Sequence, residues 1–101
     1  MKESVPLLRS ALGQTIRRVR QAKNLTQEDF GLVSSRTYLS VLERSLNTPT
    51  IDKLVEIAGV MQIHPVALLL VAYAQMDSSD SGTAIIDQIS DQAKDLLVAI
   101  S

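Results

Sequence analysis

The sequence predicts an all-α protein: five helices in one domain, followed by a C-terminal amphipathic helix. Three observations lead there. Apolar residues recur at spacings of three and four along most of the chain. Ser, Thr or Asn stands where several of those runs start or stop. Apolar residues make up 46% of the chain and aromatic residues only 3%, so the core is one of Leu, Ile, Val and Ala, which suits packed helices. At 101 residues the chain can form one compact domain and little more. We place that domain at 6–75, a polar linker at 76–83 and the last helix at 84–101.

The first helix is predicted from Pro6 to Lys23, with Ser4 as a cap and Pro6 in the first turn, where a missing N–H costs nothing. Leu8, Leu12, Ile16 and Val19 form one apolar stripe. Arg17 and Arg18 point to solvent, Arg20 lies near the apolar edge, and Asn24 can end the helix. Leu25 to Thr50 then reads as two short helices joined by a tight turn, with a loop into a further helix. Thr26 caps the first, about Thr26 to Leu32, with Asp29 beside the exposed amides of the first turn. Leu25 and Phe30 stand at hydrophobic-staple positions. Val33 and Ser34 form the turn, and Ser35 caps a helix running to Arg44 with Leu39 and Leu42 inward. Helices so close in sequence cannot lie in line and must cross, the layout of a helix-turn-helix.

After the loop Ser45 to Pro49, Thr50 caps a fourth helix, in which Ile51, Leu54, Val55, Ala58 and Met61 share helical spacing and Gly59 weakens the end. The fifth helix starts at His64-Pro65. It is apolar all round and needs cover on more than one side, from the C-terminal segment or from a second subunit. After the linker, Ile86, Ile89, Ala93, Leu96 and Ile100 form a short heptad-like seam with acidic residues outside it.

Net charge is −1, but it is unevenly spread. Residues 1–44 carry eight Lys/Arg against four Asp/Glu, net +4; residues 45–101 carry two against seven, net −5. Such asymmetry points to an anionic partner for the first half. The absence of cysteine excludes a disulfide framework and thiolate metal sites. His64, the one histidine, is expected at a helix cap or on the surface, since alone it offers no zinc set. No carboxylate pair near a base or nucleophile and no glycine-rich phosphate loop is found, so an enzyme is not expected, nor any metal, cofactor or small-molecule ligand. There is no signal-peptide pattern, and the longest apolar run, Val66 to Ala74, is too short to span a bilayer. We expect a cytoplasmic protein with no membrane partner.

From Leu12 to Leu70 the sequence resembles the phage-repressor-like (XRE or Cro-type) helix-turn-helix regulators. The resemblance rests on LGQTIRRVRQAKNLTQEDF, SRTYLSVLER, the Pro49-Thr50-Ile51 step and LVEIAGVMQIHPVALL, in that order and spacing. It implies a five-helix domain that binds double-stranded DNA as a homodimer on a roughly two-fold operator. By the same resemblance Gln27 touches the DNA backbone, and Arg36, Thr37, Ser40 and Val41 form the outward face of the recognition helix, about Ser35 to Arg44. Arg20 and Glu43 match an arginine and a glutamate that pair across helices. Two departures stand out. The turn is about two residues short and lacks glycine, and Ser45 replaces the glycine usual after Glu43-Arg44. Either Ser45 takes the left-handed conformation at a cost, or the helix runs on and Asn47 takes it.

In chemical terms Arg36 can fork onto guanine O6 and N7 or hold a phosphate, and Thr37 and Ser40 can reach base edges or phosphates. Val41 meets a thymine methyl or is a half-buried edge residue. Gln27 and Tyr38 are read as phosphate ligands, although Tyr38 can instead only pack its ring. Ser35, Arg44 and Asn47 lie at the helix ends and loop, where backbone contacts are common. Leu69, Leu70 and Tyr73 of helix five, with Ile86, Ile89, Ala93, Leu96 and Ile100 of the last helix, are the expected dimer contacts; the alternative is that the last helix folds back on its own domain. The rival function is a protein-interaction or antitoxin-like adaptor built on the same fold, without DNA binding.

Overall fold

The computed structural model describes residues 4–76 and 82–101, with side chains from residue 7 onward. The expected linker therefore lies mostly outside the described residues. Five α-helices are present and no strand is found among the described residues: α1 Ser4–Ala22, α2 Arg36–Glu43, α3 Ile51–Val60, α4 Pro65–Met76 and α5 Thr83–Ala99. The expected cap Ser4 is already part of α1. α1 lies along α4 and meets α2, α3 packs on α4 at 99°, and among the described elements α5 touches α4 alone. No single helix among them is long and apolar enough to cross a membrane.

The second predicted helix is corrected. Thr26 to Leu32 does not form an α-helix; Gln27–Phe30 is one turn of 3-10 helix, and 31–34 form the turn expected at Val33-Ser34 alone. Only eight residues separate the two caps Thr26 and Ser35. Both caps are made, leaving room for a single turn. Thr26 Oγ1 accepts the Asp29 amide at 3.3 Å while the Asp29 carboxylate accepts the Thr26 amide at 2.7 Å, a capping box with Asp in the usual Glu place. The amides of Gly31, Val33 and Ser34 bond back to Glu28 and Phe30 carbonyls, so the corner stays hydrogen-bonded without a helix. Leu32 is left fully exposed at its tip.

The core contains Leu12, Ile16, Phe30, Leu39, Leu42, Leu54, Ile57, Ala58, Met61, Leu68 and Ala72. In α3 and its C-cap the inward set is Leu54, Ile57, Ala58 and Met61; the expected Ile51 and Val55 are exposed. Helical spacing alone allowed two neighbouring faces, and the crossing with α4 selects one. The cover that the apolar α4 requires comes from α1, α3 and the first turns of α5.

Three helices end in the same way. Asn24, Ser45 and Gln62 adopt positive φ (58°, 64° and 58°), and after each the next amide reaches five residues back, Leu25 to Arg20, Leu46 to Val41 and Ile63 to Ala58. These are Schellman ends with no glycine at the left-handed position. Ser45, not Asn47, takes that role. Its hydroxyl donates to the Ser10 carbonyl of α1 at 3.2 Å, which offsets the conformational cost of about 1–2 kcal/mol. α1 comes this close because Gly13 faces the end of α2: a Cβ there would lie 2.5 Å from the Leu42 carbonyl oxygen and 2.6 Å from Ser45 Oγ.

Gly13→Ala tests this junction. In an open helix the change favours folding by roughly 0.5–1 kcal/mol. Here backbone must give way, so we expect a loss of about 1–3 kcal/mol, read as a lower urea midpoint at unchanged slope.

Candidate nucleic-acid interface

The site is built around one ion pair. Arg20, in the last turns of α1, donates from Nε to Glu43 Oε2 at 2.7 Å and from Nη2 to Oε1 at 3.0 Å. Its Nη1 donates to the Leu25 carbonyl at 2.9 Å, just past the Schellman end. The Arg20 and Glu43 side chains are only 11% and 3% exposed, so the fork is shielded from water. The hydrogen bonds to Glu43 raise the Arg20 pKa above the ordinary arginine value; burial opposes this, and the Glu43 charge adds to the rise. Gln27 Nε2 also donates to Glu43 Oε1, at 3.2 Å. The end of α1, the 3-10 turn and the end of α2 thus meet at one carboxylate.

Above this knot a shallow concavity is lined by Gln27, Arg36, Thr37, Ser40 and Arg44. A neighbouring one brings in Arg17 beside Arg20, Gln27, Ser40 and Arg44. Five of the nine expected contact residues therefore share one cationic, hydroxyl-rich face. Arg36 leans on Glu28 at 3.4 Å, with both side chains more than 70% exposed. An exposed pair of this kind contributes about 0–1 kcal/mol, so the guanidinium is free to exchange Glu28 for an anionic ligand.

The other four stand elsewhere. Ser35 is the N-cap of α2, its Oγ accepting the Tyr38 amide at 3.0 Å. Tyr38 is half-buried against the core. Val41 is half-buried too. Asn47 Oδ1 accepts the Thr48 amide at 2.9 Å within its own loop, and Thr48 in turn accepts Arg9 Nε at 2.9 Å. His64 caps α4, Nδ1 accepting the Val66 amide at 3.0 Å.

One residue near this face escaped the sequence reading. Lys53 of α3 donates to the Val33 carbonyl in the turn, and its Nζ lies 5.7 Å from the Tyr38 ring centroid and 3.7 Å from Glu56. Nothing local in the sequence marks the contact with the turn, since Val33 and Tyr38 lie twenty and fifteen residues earlier.

The expected dimer contacts divide. Leu69, Leu70, Ile86 and Ile89 are half-buried within the chain, while Tyr73, Ala93, Leu96 and Ile100 are exposed.

Residues 16–68, which hold both motif segments and the ion pair, match the helix-turn-helix family model. The chain belongs to the XRE-type helix-turn-helix family. It is also 38% identical over 64 residues to the "Uncharacterized HTH-type transcriptional regulator y4dJ" of Sinorhizobium fredii (strain NBRC 101917 / NGR234), covering 61% of this chain and 83% of that protein. No solved structure matches significantly. Within this helix-turn-helix frame the 3-10 turn is the first motif element and α2 the second.

Removing one partner of the buried pair strands the other charge. Glu43→Ala is expected to cost about 3–5 kcal/mol, and the double change with Arg20→Ala less than the sum of the singles, in a denaturant double-mutant cycle. Additive losses would show that the two side chains are not coupled.

Proposed function

We propose that the protein is a sequence-specific, double-stranded DNA-binding transcriptional regulator, a repressor that acts as a homodimer in the cytoplasm. The observation that carries this reading is the shared face of Gln27, Arg36, Thr37, Ser40 and Arg44 around the second motif helix of an XRE-type chain. The relative's name, a transcriptional regulator, supports the same reading. In it, α2 enters the major groove with its N-terminal turn leading. Arg36 forks onto a guanine edge, and Thr37 and Ser40 reach adjacent base edges. Gln27, Tyr38, Ser35, Arg44 and Asn47 hold phosphates and set register without reading bases. Val41 meets a thymine methyl at the border of the contact.

Dimerisation is the part of α5 that its own chain leaves uncovered. Residues 91–101 are all exposed, among them Leu96, Leu97, Val98 and Ile100. Leu96 and Ile100 continue the stripe that Ile86 and Ile89 lay against α4. A radius of gyration of 14.4 Å, against about 13 Å for a compact chain of this length, fits a helix standing off the domain. A second α5 in the same register would cover it and present two recognition helices to half-sites roughly 34 Å apart.

Selection of bound sequences from a random duplex pool tests the reading. Affinity should fall steeply with salt, and Arg36→Ala should cost about 1–3 kcal/mol on the selected duplex while relaxing one base position. Gln27→Ala should weaken selected and random duplexes alike. No binding to random duplex at low salt would favour the adaptor, with the exposed half of α5 as its surface.

A further inference from the structure

We propose that Lys53 is a positioning residue for base readout: from outside the motif it clasps the turn to α2 and sets the angle at which α2 meets DNA. The inference rests on the DNA-binding reading above. The Lys53 backbone is anchored first, its amide donating to the Thr50 cap hydroxyl at 3.1 Å at the start of α3. From that fixed base the side chain crosses to the turn, where Nζ donates to the Val33 carbonyl and stands 5.7 Å from the centre of the Tyr38 ring. A cation at that distance from a tyrosine face is attracted by the ring's quadrupole. The side chain is 27% exposed, and Glu56 stands 3.7 Å from the ammonium.

The need for such a clasp follows from the corner itself. The 3-10 turn is too short to brace α2 as a full helix would. The C-terminal end of α2 is fixed twice, by the Arg20–Glu43 fork and by the Gly13 approach. Its N-terminal end, which carries Arg36 and Thr37, follows a corner of four residues, 31–34, that has no helical structure of its own. α2 has eight residues, so it is about 12 Å long, and 1 Å of play at one end tilts it by about 5°. A guanidinium fork tolerates little displacement before one of its two bonds is lost. Lys53 ties this end to α3.

The experiment compares Lys53→Met, which keeps the stem and removes the ammonium, with the wild type on the selected duplex and on random duplex. We expect the selected duplex to bind about tenfold more weakly, random duplex to change less than about twofold, and the salt slope to be unchanged. Without DNA, amide exchange at Ser34 and Tyr38 should accelerate about tenfold while exchange around Arg20 stays the same. Equal losses on both duplexes with a salt slope smaller by about one would make Lys53 a phosphate ligand and overturn the proposal. Equal losses that track a lower Tm would make it a stabilising residue only and overturn it as well. If the wild type binds neither duplex while the exchange effect is present, the DNA-binding reading has failed and the clasp exists without that role; unchanged exchange overturns the clasp itself. Lys53→Gln is the second variant, with the same expectations, should Lys53→Met melt below the assay temperature.

Discussion

The Arg20–Glu43 fork is the interaction on which the motif's geometry depends. Glu43 is inside because α2 has only eight residues and its inward face, Leu39, Leu42 and Glu43, faces α1 and the 3-10 turn. A carboxylate so placed needs a charged partner with several donors to recover its hydration. Arg20 supplies two bonds and uses a third donor on the Leu25 carbonyl, so the same guanidinium fixes where the chain leaves α1. Gln27 completes the set. No buried side-chain nitrogen or oxygen among the described residues lacks a partner. The fork's value lies in fixed geometry, since a hydrophobic replacement of equal shape would often be as stable.

Around that knot the connections are short, and their chemistry follows from shortness. Asn24, Ser45 and Gln62 accept left-handed backbone where the chain turns sharply out of α1, α2 and α3. At Ser45 the hydroxyl bond to Ser10 offsets what glycine would have provided without strain. The same contact requires Gly13 on α1, so two departures from ordinary preference, a serine at positive φ and a glycine within a helix, explain one another. A glycine at a helix end and an alanine within a helix are the usual choices; here the close approach of two backbones reverses both.

The two halves of the chain carry different physics. The basic first half places Arg36 and Arg44, with Arg17 beside them, on a face kept polar by Thr37 and Ser40. The acidic second half carries α5, whose first turns complete the cover of α4 and whose remainder offers an apolar stripe to solvent. That stripe lies beyond the part of α5 that packs on α4, and α4 is covered on its other sides by α1 and α3.

Much was legible in the residues alone. Helix periodicity placed α1, α3, α4 and α5, the caps Thr26, Ser35 and Thr50 marked three starts, and the order of motifs pointed to the family, because each of these signals is local or of fixed spacing. Family resemblance also named Arg20 and Glu43. What the sequence could not determine depends on approach between distant segments. The reduction of the first motif helix to a 3-10 turn is the local exception, set by two caps competing for eight residues. The choice of Ile57 over Ile51 and Val55 was set by how α3 crosses α4. Lys53 was set by a contact twenty residues away, and the division of α5 into covered and open halves by how far it runs along α4. Local chemistry chose the elements; only their packing decided which way each face, and each charge, would turn.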